Sequence, residues 1–220
     1  MTRRIVVVSG GLSEPSTTRL LADRIAEATR VAVGARGDDA EIEVIELRSL
    51  ATDLATTFTA GVPTAAVARA REQLATADGL IAVSPVFAAG YSGLFKMFFD
   101  ALDPDTLTGV PTVLAATAGS ARHSLVLDHA MRPLLSYLRA LVVPTGVFAT
   151  TDDFGTGEAA TALKGRIDRA ADELAEQITR STGSPHGFSD AVPAGRPRVS
   201  GNAVRTDGPS FRELLGAHMG

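Results

Sequence analysis

Apolar residues recur along this chain in two rhythms that alternate five times. The first is a continuous short run: Ile5-Val6-Val7-Val8, the Ile42, Val44 and Leu47 set near residues 41–46, Leu80-Ile81-Ala82-Val83, residues 110–117, and Leu141-Val142-Val143. The last run is broken by Pro144 and resumes through Val147-Phe148. Short runs rich in β-branched residues read as strands buried on both faces, because a half-exposed strand would alternate instead. The second rhythm has spacings of three and four. It places Leu21, Ile25, Ala28 and Ala32 on one helical face, and Leu163, Ile167, Ala170, Leu174 and Ile178 on another over residues 158–180. Further helices are predicted over residues 65–77, 92–102 and 124–140, the last kinked or split near Met131 by Pro133.

Strands alternating with helices predict a parallel sheet covered on both faces, a three-layer α/β sandwich. The expected form is flavodoxin-like, five parallel strands in the order 2-1-3-4-5. That order puts the ligand crevice at the carboxyl ends of strands 1 and 3. Three stretches break the rhythm. Residues 49–64 are Thr-rich, contain Gly61-Val62-Pro63 and read as a long loop, either a lid or plain surface. The 92–102 helix is apolar nearly all round, through Leu94, Phe95, Met97, Phe98, Phe99 and Leu102, so more than one side must be covered. Either the helix lies deep in its own chain or it packs on a second subunit; we expect the latter, in a homodimer or homotetramer. Residues 181–220 are rich in Gly, Pro, Ser and Arg and read as an extended arm on a domain of residues 1–180. Phe211, Leu214 and Leu215 form a short docking turn within 210–216.

Composition narrows the function. The 220 residues carry a net charge of −4 and 21% charged residues, which fits a soluble globular class and gives no electrostatic grip on nucleic acid or anionic membrane. There is no cysteine, hence no disulfide framework, no thiolate nucleophile and no Cys-ligated metal; a reducing cytoplasm fits. No stretch approaches the roughly 20 apolar residues of a membrane span. His123, His129, His186 and His218 lack metal-ligand spacing, so no metal site is expected. His123 follows the fourth strand, where it reads as a structural helix-start residue or a ligand neighbour. Gly90-Tyr91-Ser92-Gly93 is not a nucleophile elbow, and no catalytic side chain is assigned. Gly155 to Ala160 formally match G-x-G-x-x-A but are separated from the strand by Thr151-Asp152-Asp153-Phe154, and read as a helix start.

The loops at the expected crevice are specialised. After strand 1 come Ser9, Gly11, Ser13, Ser16, Thr17 and Thr18 at the start of a helix. Unpaired N–H groups and the helix dipole there favour a phosphate, though Ser and Thr are also ordinary N-caps. After strand 3 come Pro85, Val86, Phe87 and Ala88, with Tyr91 beyond, an apolar and partly aromatic wall. After strand 4 come Thr117, Ala118, Gly119 and Ser120, which offer backbone donors. A phosphate seat, a flat wall and an edge of donors complement FMN in kind.

The stretches GGLSEPSTTRLL (residues 10–21), SPVFAAGYSGLFKMFFDAL (84–102) and ATAGSARHS (116–124) resemble the NADPH-dependent FMN reductases of flavodoxin-like fold. The resemblance covers residues 3–180. More narrowly, ARHSLVLDHAMRPLLSYLRAL and the Phe211-to-Leu215 turn are similar to reductases that supply luciferase-like monooxygenases. It implies that Ser16 and Thr18, with Ser9 and Ser13, hold the FMN phosphate, that Pro85 to Phe87 flank the isoalloxazine, and that Thr117 to Ser120 meet its edge. The implied reaction is hydride transfer from NADH or NADPH to FMN. One departure is visible: many relatives have an arginine in the first loop, where this chain has Ser13. Loss of a charge-assisted phosphate contact predicts weak, reversible FMN binding. Two alternatives stay open, a quinone or azo reductase that retains FMN and a flavodoxin-type electron carrier.

Overall fold

The run Ile5–Val8 lies inside β1 (Thr2–Ser9) in this computed structural model, which describes residues 1–180. Val6 and Val8 enter one apolar cluster, and Ile5 and Val7 enter another on the opposite face. With both faces buried there is no place for alternating polar residues, which is why the run is continuous. β3 (Gly79–Phe87) divides in the same way, Leu80 and Ala82 against Ile81 and Val83. So does β5 (Pro111–Ala118), Leu114 and Ala116 against Val113 and Ala115. β2 (Asp39–Glu46) is the edge strand, and its Asp39, Glu41, Glu43 and Glu46 put charge along the open edge.

α1 (Thr17–Gly34) and α6 (Glu158–Arg180) cover one face with Leu21, Ile25, Leu163, Ile167 and Leu174. α2 (Ala51–Ala60), α3 (Ala65–Ala75), α4 (Gly93–Asp100) and α5 (Arg132–Tyr137) cover the other. The parallel order is β2-β1-β3-β5-β6, where β6 (Leu141–Val142) and β7 (Val147–Thr150) both pair with β5. Those two pieces are the fifth strand, interrupted at Pro144, so the predicted order 2-1-3-4-5 is the observed one.

The structure departs from the sequence reading at three places. Residues 49–64 are not a long loop: a 3₁₀ turn at Leu47–Leu50 leads into α2. Threonine is a poor helix former, but buried Leu47 and Leu54 anchor this segment, and the Thr56 and Thr59 hydroxyls donate to the Thr52 and Ala55 carbonyls at 3.0 Å. β3 does not stop at Pro85 but continues to Phe87. Val83 C=O accepts the Gly10 N–H at 2.8 Å, so Pro85, two residues on, faces the same side beyond the end of β1, where its missing N–H has no partner to lose. A two-residue strand, β4 (Gly90–Tyr91), then folds back on β3. In α4, Phe95, Phe98 and Phe99 are buried within the one chain, while Leu94 and Met97 remain half-buried. The predicted break at Pro133 is present as a π-helical turn, Leu127–Met131, running into α5. The arm and docking turn assigned to 181–220 lie outside the described residues.

Candidate functional site

The loop after β1 is shaped by two glycines. Gly10 lies against β3, where an added Cβ would touch Ser92 Oγ at 3.3 Å and Pro85 Cδ at 3.4 Å. At Gly11 the same atom would fall 2.2 Å from Ser16 Oγ, so the loop doubles back onto the start of α1 only because residue 11 has no side chain. Ser16 is the N-cap: its Oγ accepts the Arg19 N–H at 3.2 Å, which leaves its own proton to donate elsewhere. The first turn of α1 contains no acidic residue, so nothing on the helix itself cancels its positive end there. Thr18 Oγ1 lies 2.7 Å from Thr117 Oγ1, a contact across 99 positions that ties the helix start to the tip of β5.

Over these elements lies a cavity of about 300 Å³. Hydroxyls line it from Ser13, Thr17 and Thr18 at the start of α1 and from Thr117, Thr150 and Thr151. Pro85, Val86 and Phe87 give it an apolar lining, with Ala118 and Gly119 alongside, and Pro85 is the register partner of Thr117. Ser9, Gly11, Ser16, Ala88 and Ser120, also read as site residues, are not in its wall. Ser9 is buried at the end of β1, and Gly11 and Ser16 form the scaffold behind Ser13 and Thr17. Ala88 sits in the β3–β4 turn, and Ser120 accepts the Arg122 N–H at 3.2 Å. Tyr91 faces away: its ring packs on Phe95 at 5.7 Å and lines a separate cavity with Lys96, His129 and Tyr137. His123 is exposed in the 3₁₀ turn Ala121–His123 and is absent from the wall.

Four lining residues were not anticipated: Leu12, Thr150, Thr151 and Phe154. Thr150 gives both its N–H and its hydroxyl to the Asp153 carboxylate, at 2.6 and 2.8 Å, which fixes the turn that delivers Phe154. The Arg24 guanidinium lies 5.2 Å from the centre of the Phe154 ring and braces it from the α1 side. The signal for this wall was positional: the loop after strand 5 borders the same sheet edge as the loops after strands 1 and 3.

The arginines around the first loop are engaged. Arg48 pairs with Glu14 at 2.8 Å, and Arg19 pairs with Asp23 at 2.7 Å and with Glu46. The hydrogen bond to Asp23 holds the Arg19 guanidinium still more firmly protonated than usual. On the first loop and the first turn of α1, what remains for an anion is neutral hydroxyls and backbone N–H groups. A ligand that is anionic at one end and flat and apolar at the other fits this wall, and a phosphorylated flavin is of that kind.

A profile of the NADPH-dependent FMN reductases matches residues 3–155. The chain belongs to this family. Among the members, it is 37% identical over 175 residues to the FMN reductase (NADPH) of Pseudomonas aeruginosa, covering 78% of this chain and 90% of that one. It is also 37% identical over 151 residues to the NADH-dependent FMN reductase SfnF of Pseudomonas putida, covering 69% and 79%. Among solved structures, an oxidoreductase from Corynebacterium diphtheriae superposes with a TM-score of 0.79 at 56% identity, covering 81% of this chain and 98% of that chain. The chain is accordingly a flavodoxin-like oxidoreductase of the NAD(P)H-dependent FMN reductase family, and FMN and a reduced nicotinamide are its cofactors.

Proposed function

We propose that the cavity at the ends of β1, β3 and β5 holds FMN with its phosphate at the α1 end and its ring against Pro85–Phe87. In this reading the protein releases reduced FMN to a partner monooxygenase of luciferase-like kind. The observation that carries it is that one cavity wall joins hydroxyls at a helix start to apolar residues with a half-exposed aromatic ring. When bound, the flavin accepts hydride from the nicotinamide, and the protein's part is to place the two rings. Ser13, Thr17 and Thr18 donate hydrogen bonds to the phosphate. Phe87, 49% exposed, offers a flat face to the ring, and the backbone of Ala118 and Gly119 lies toward its polar edge. Because Arg19 and Arg48 are already paired with carboxylates, the phosphate is held by neutral donors, which bind about half as strongly as charged ones. Weak retention suits a flavin that arrives oxidised and leaves reduced.

The same reading includes a homodimer or homotetramer, supported by the exposed Leu125, Tyr137 and Leu141. A cytoplasmic location is supported by the absence of cysteine. Among the described residues no helix is long and apolar enough to cross a membrane.

The test is anaerobic oxidation of NADH and of NADPH by the purified protein with FMN in large excess. Bleaching of the free FMN over many turnovers is the expected result, and the faster nicotinamide is the preferred one. Reduction of a single enzyme-equivalent of flavin would replace this reading with a reductase that retains FMN. No oxidation at all would leave the electron carrier.

A further inference from the structure

The strongest unexplained polar feature is the hydroxyl pair Thr18–Thr117. Thr18 is 3% exposed and Thr117 6%, both line the cavity, and neither hydroxyl has another hydrogen-bond partner among the described residues. A buried hydroxyl pair can be counted. Each hydroxyl has one proton, and the 2.7 Å contact consumes one of the two. The pair therefore has a single proton left for a ligand.

A phosphate oxygen only accepts. It is drawn to the unpaired N–H groups at the start of α1, where Thr18 sits; Thr117 belongs to β5, whose backbone there is paired with β3 and β7. With the flanking arginines engaged by Glu14, Asp23 and Glu46, a directed hydroxyl proton carries more of the anion's binding than it would beside a free cation. Resting on the proposed function, we infer that Thr117 is a positioning residue for phosphate recognition: its hydroxyl donates to Thr18 Oγ1 and so turns the Thr18 proton toward the FMN phosphate. Thr117 thus acts at the phosphate end through Thr18 and not at the flavin edge. A hydrogen bond received by Thr18 also polarises the one it gives. The consequence is selectivity for FMN over riboflavin, the same ring without the phosphate.

The experiment is a flavin-fluorescence titration of FMN and of riboflavin against wild type, Thr18→Val, Thr117→Val, Thr117→Ser and the double valine variant, each checked for folding by its melting curve. Thr18→Val is expected to weaken FMN about tenfold, and Thr117→Val about three- to fivefold. Thr117→Ser keeps the donor and is expected to bind like wild type. The double variant is expected to bind FMN no more weakly than Thr18→Val alone, because Thr117 acts only through its partner. Riboflavin binding should stay within about twofold throughout.

Additive losses in the double variant, or an equal loss of riboflavin in Thr117→Val, would overturn the inference. So would wild-type FMN binding in Thr117→Val, while leaving the proposed function standing. A wild-type protein that binds FMN no better than riboflavin would overturn both.

Discussion

The α1 loop and the β3 hairpin are built by opposite means. At the α1 loop Ser16 caps the helix, Gly11 lets the loop fold onto it, and Thr18 is bonded to Thr117, while Ser13 and Thr17 are exposed. At the β3 end Phe87 stands half-exposed on a hairpin whose turn residues, Ala88 and Ala89, have φ of +47° and +65°. Both lie in the left-handed region, which costs an L-residue with a Cβ about 1–2 kcal/mol. The polar end is preorganised and directional, as an anion needs, because hydrogen bonds weaken steeply when misaligned. The apolar end has no direction to keep. A flat ring slides on a flat wall, so exposure and local strain there do little harm.

That contrast can be broken at the polar end with the largest effect. Gly11→Ala forces Ser16 Oγ aside, removing the N-cap bond and distorting the seat. The expected result is about 1 kcal/mol lower stability in a denaturant melt and FMN binding weaker by about tenfold or more. Phe87→Ala should weaken FMN and riboflavin alike, by about three- to tenfold in a fluorescence titration. Its stability should change by no more than about 0.5 kcal/mol, since the ring is half-exposed. Replacing Ala88-Ala89 with Asn-Gly, the pair that suits a hairpin turn with two positive φ values, should raise stability by about 1 kcal/mol and leave flavin affinity unchanged.

The smallest effect lies far from both ends and serves as a control. Asp38 is held below the usual carboxylate range, chiefly by the hydrogen bond from the Met1 ammonium and next by that from Arg3. A depressed carboxylate stabilises the fold above its unfolded pKa, and that contribution disappears as pH falls through the folded value. Asp38→Asn should therefore lower the melting temperature near neutral pH, and its difference from wild type should close in acid, with flavin binding untouched.

Much of this was legible in the amino-acid order because both-face burial and helical burial leave different signatures. The continuous runs at Ile5–Val8 and Leu80–Val83 are strands buried on two faces, and the stripe Leu163 to Ile178 marks α6 over residues 158–180. The hydroxylic end was legible for the same local reason, since the loop and the helix start are contiguous in sequence. What stayed hidden depends on distant contacts. α2 is threonine-rich and is a helix because Leu47 and Leu54 find a buried seat, which no local propensity reports. Tyr91 was read as part of the ring wall, but the β3–β4 hairpin turns it onto Phe95. Phe154 enters the site from the far end of the chain, placed by Asp153 and Arg24, and only the strand order could have pointed to it.

If FMN sits as proposed, the start of α1 and the β3 hairpin divide one ligand between them, the phosphate at α1 and the ring at β3. The ratio of FMN to riboflavin affinity, measured by titration in Thr18→Val and in Phe87→Ala, tests this most directly. The ratio is expected to fall about tenfold in Thr18→Val and to stay at its wild-type value in Phe87→Ala. Equal movement of the ratio in both variants would contradict it.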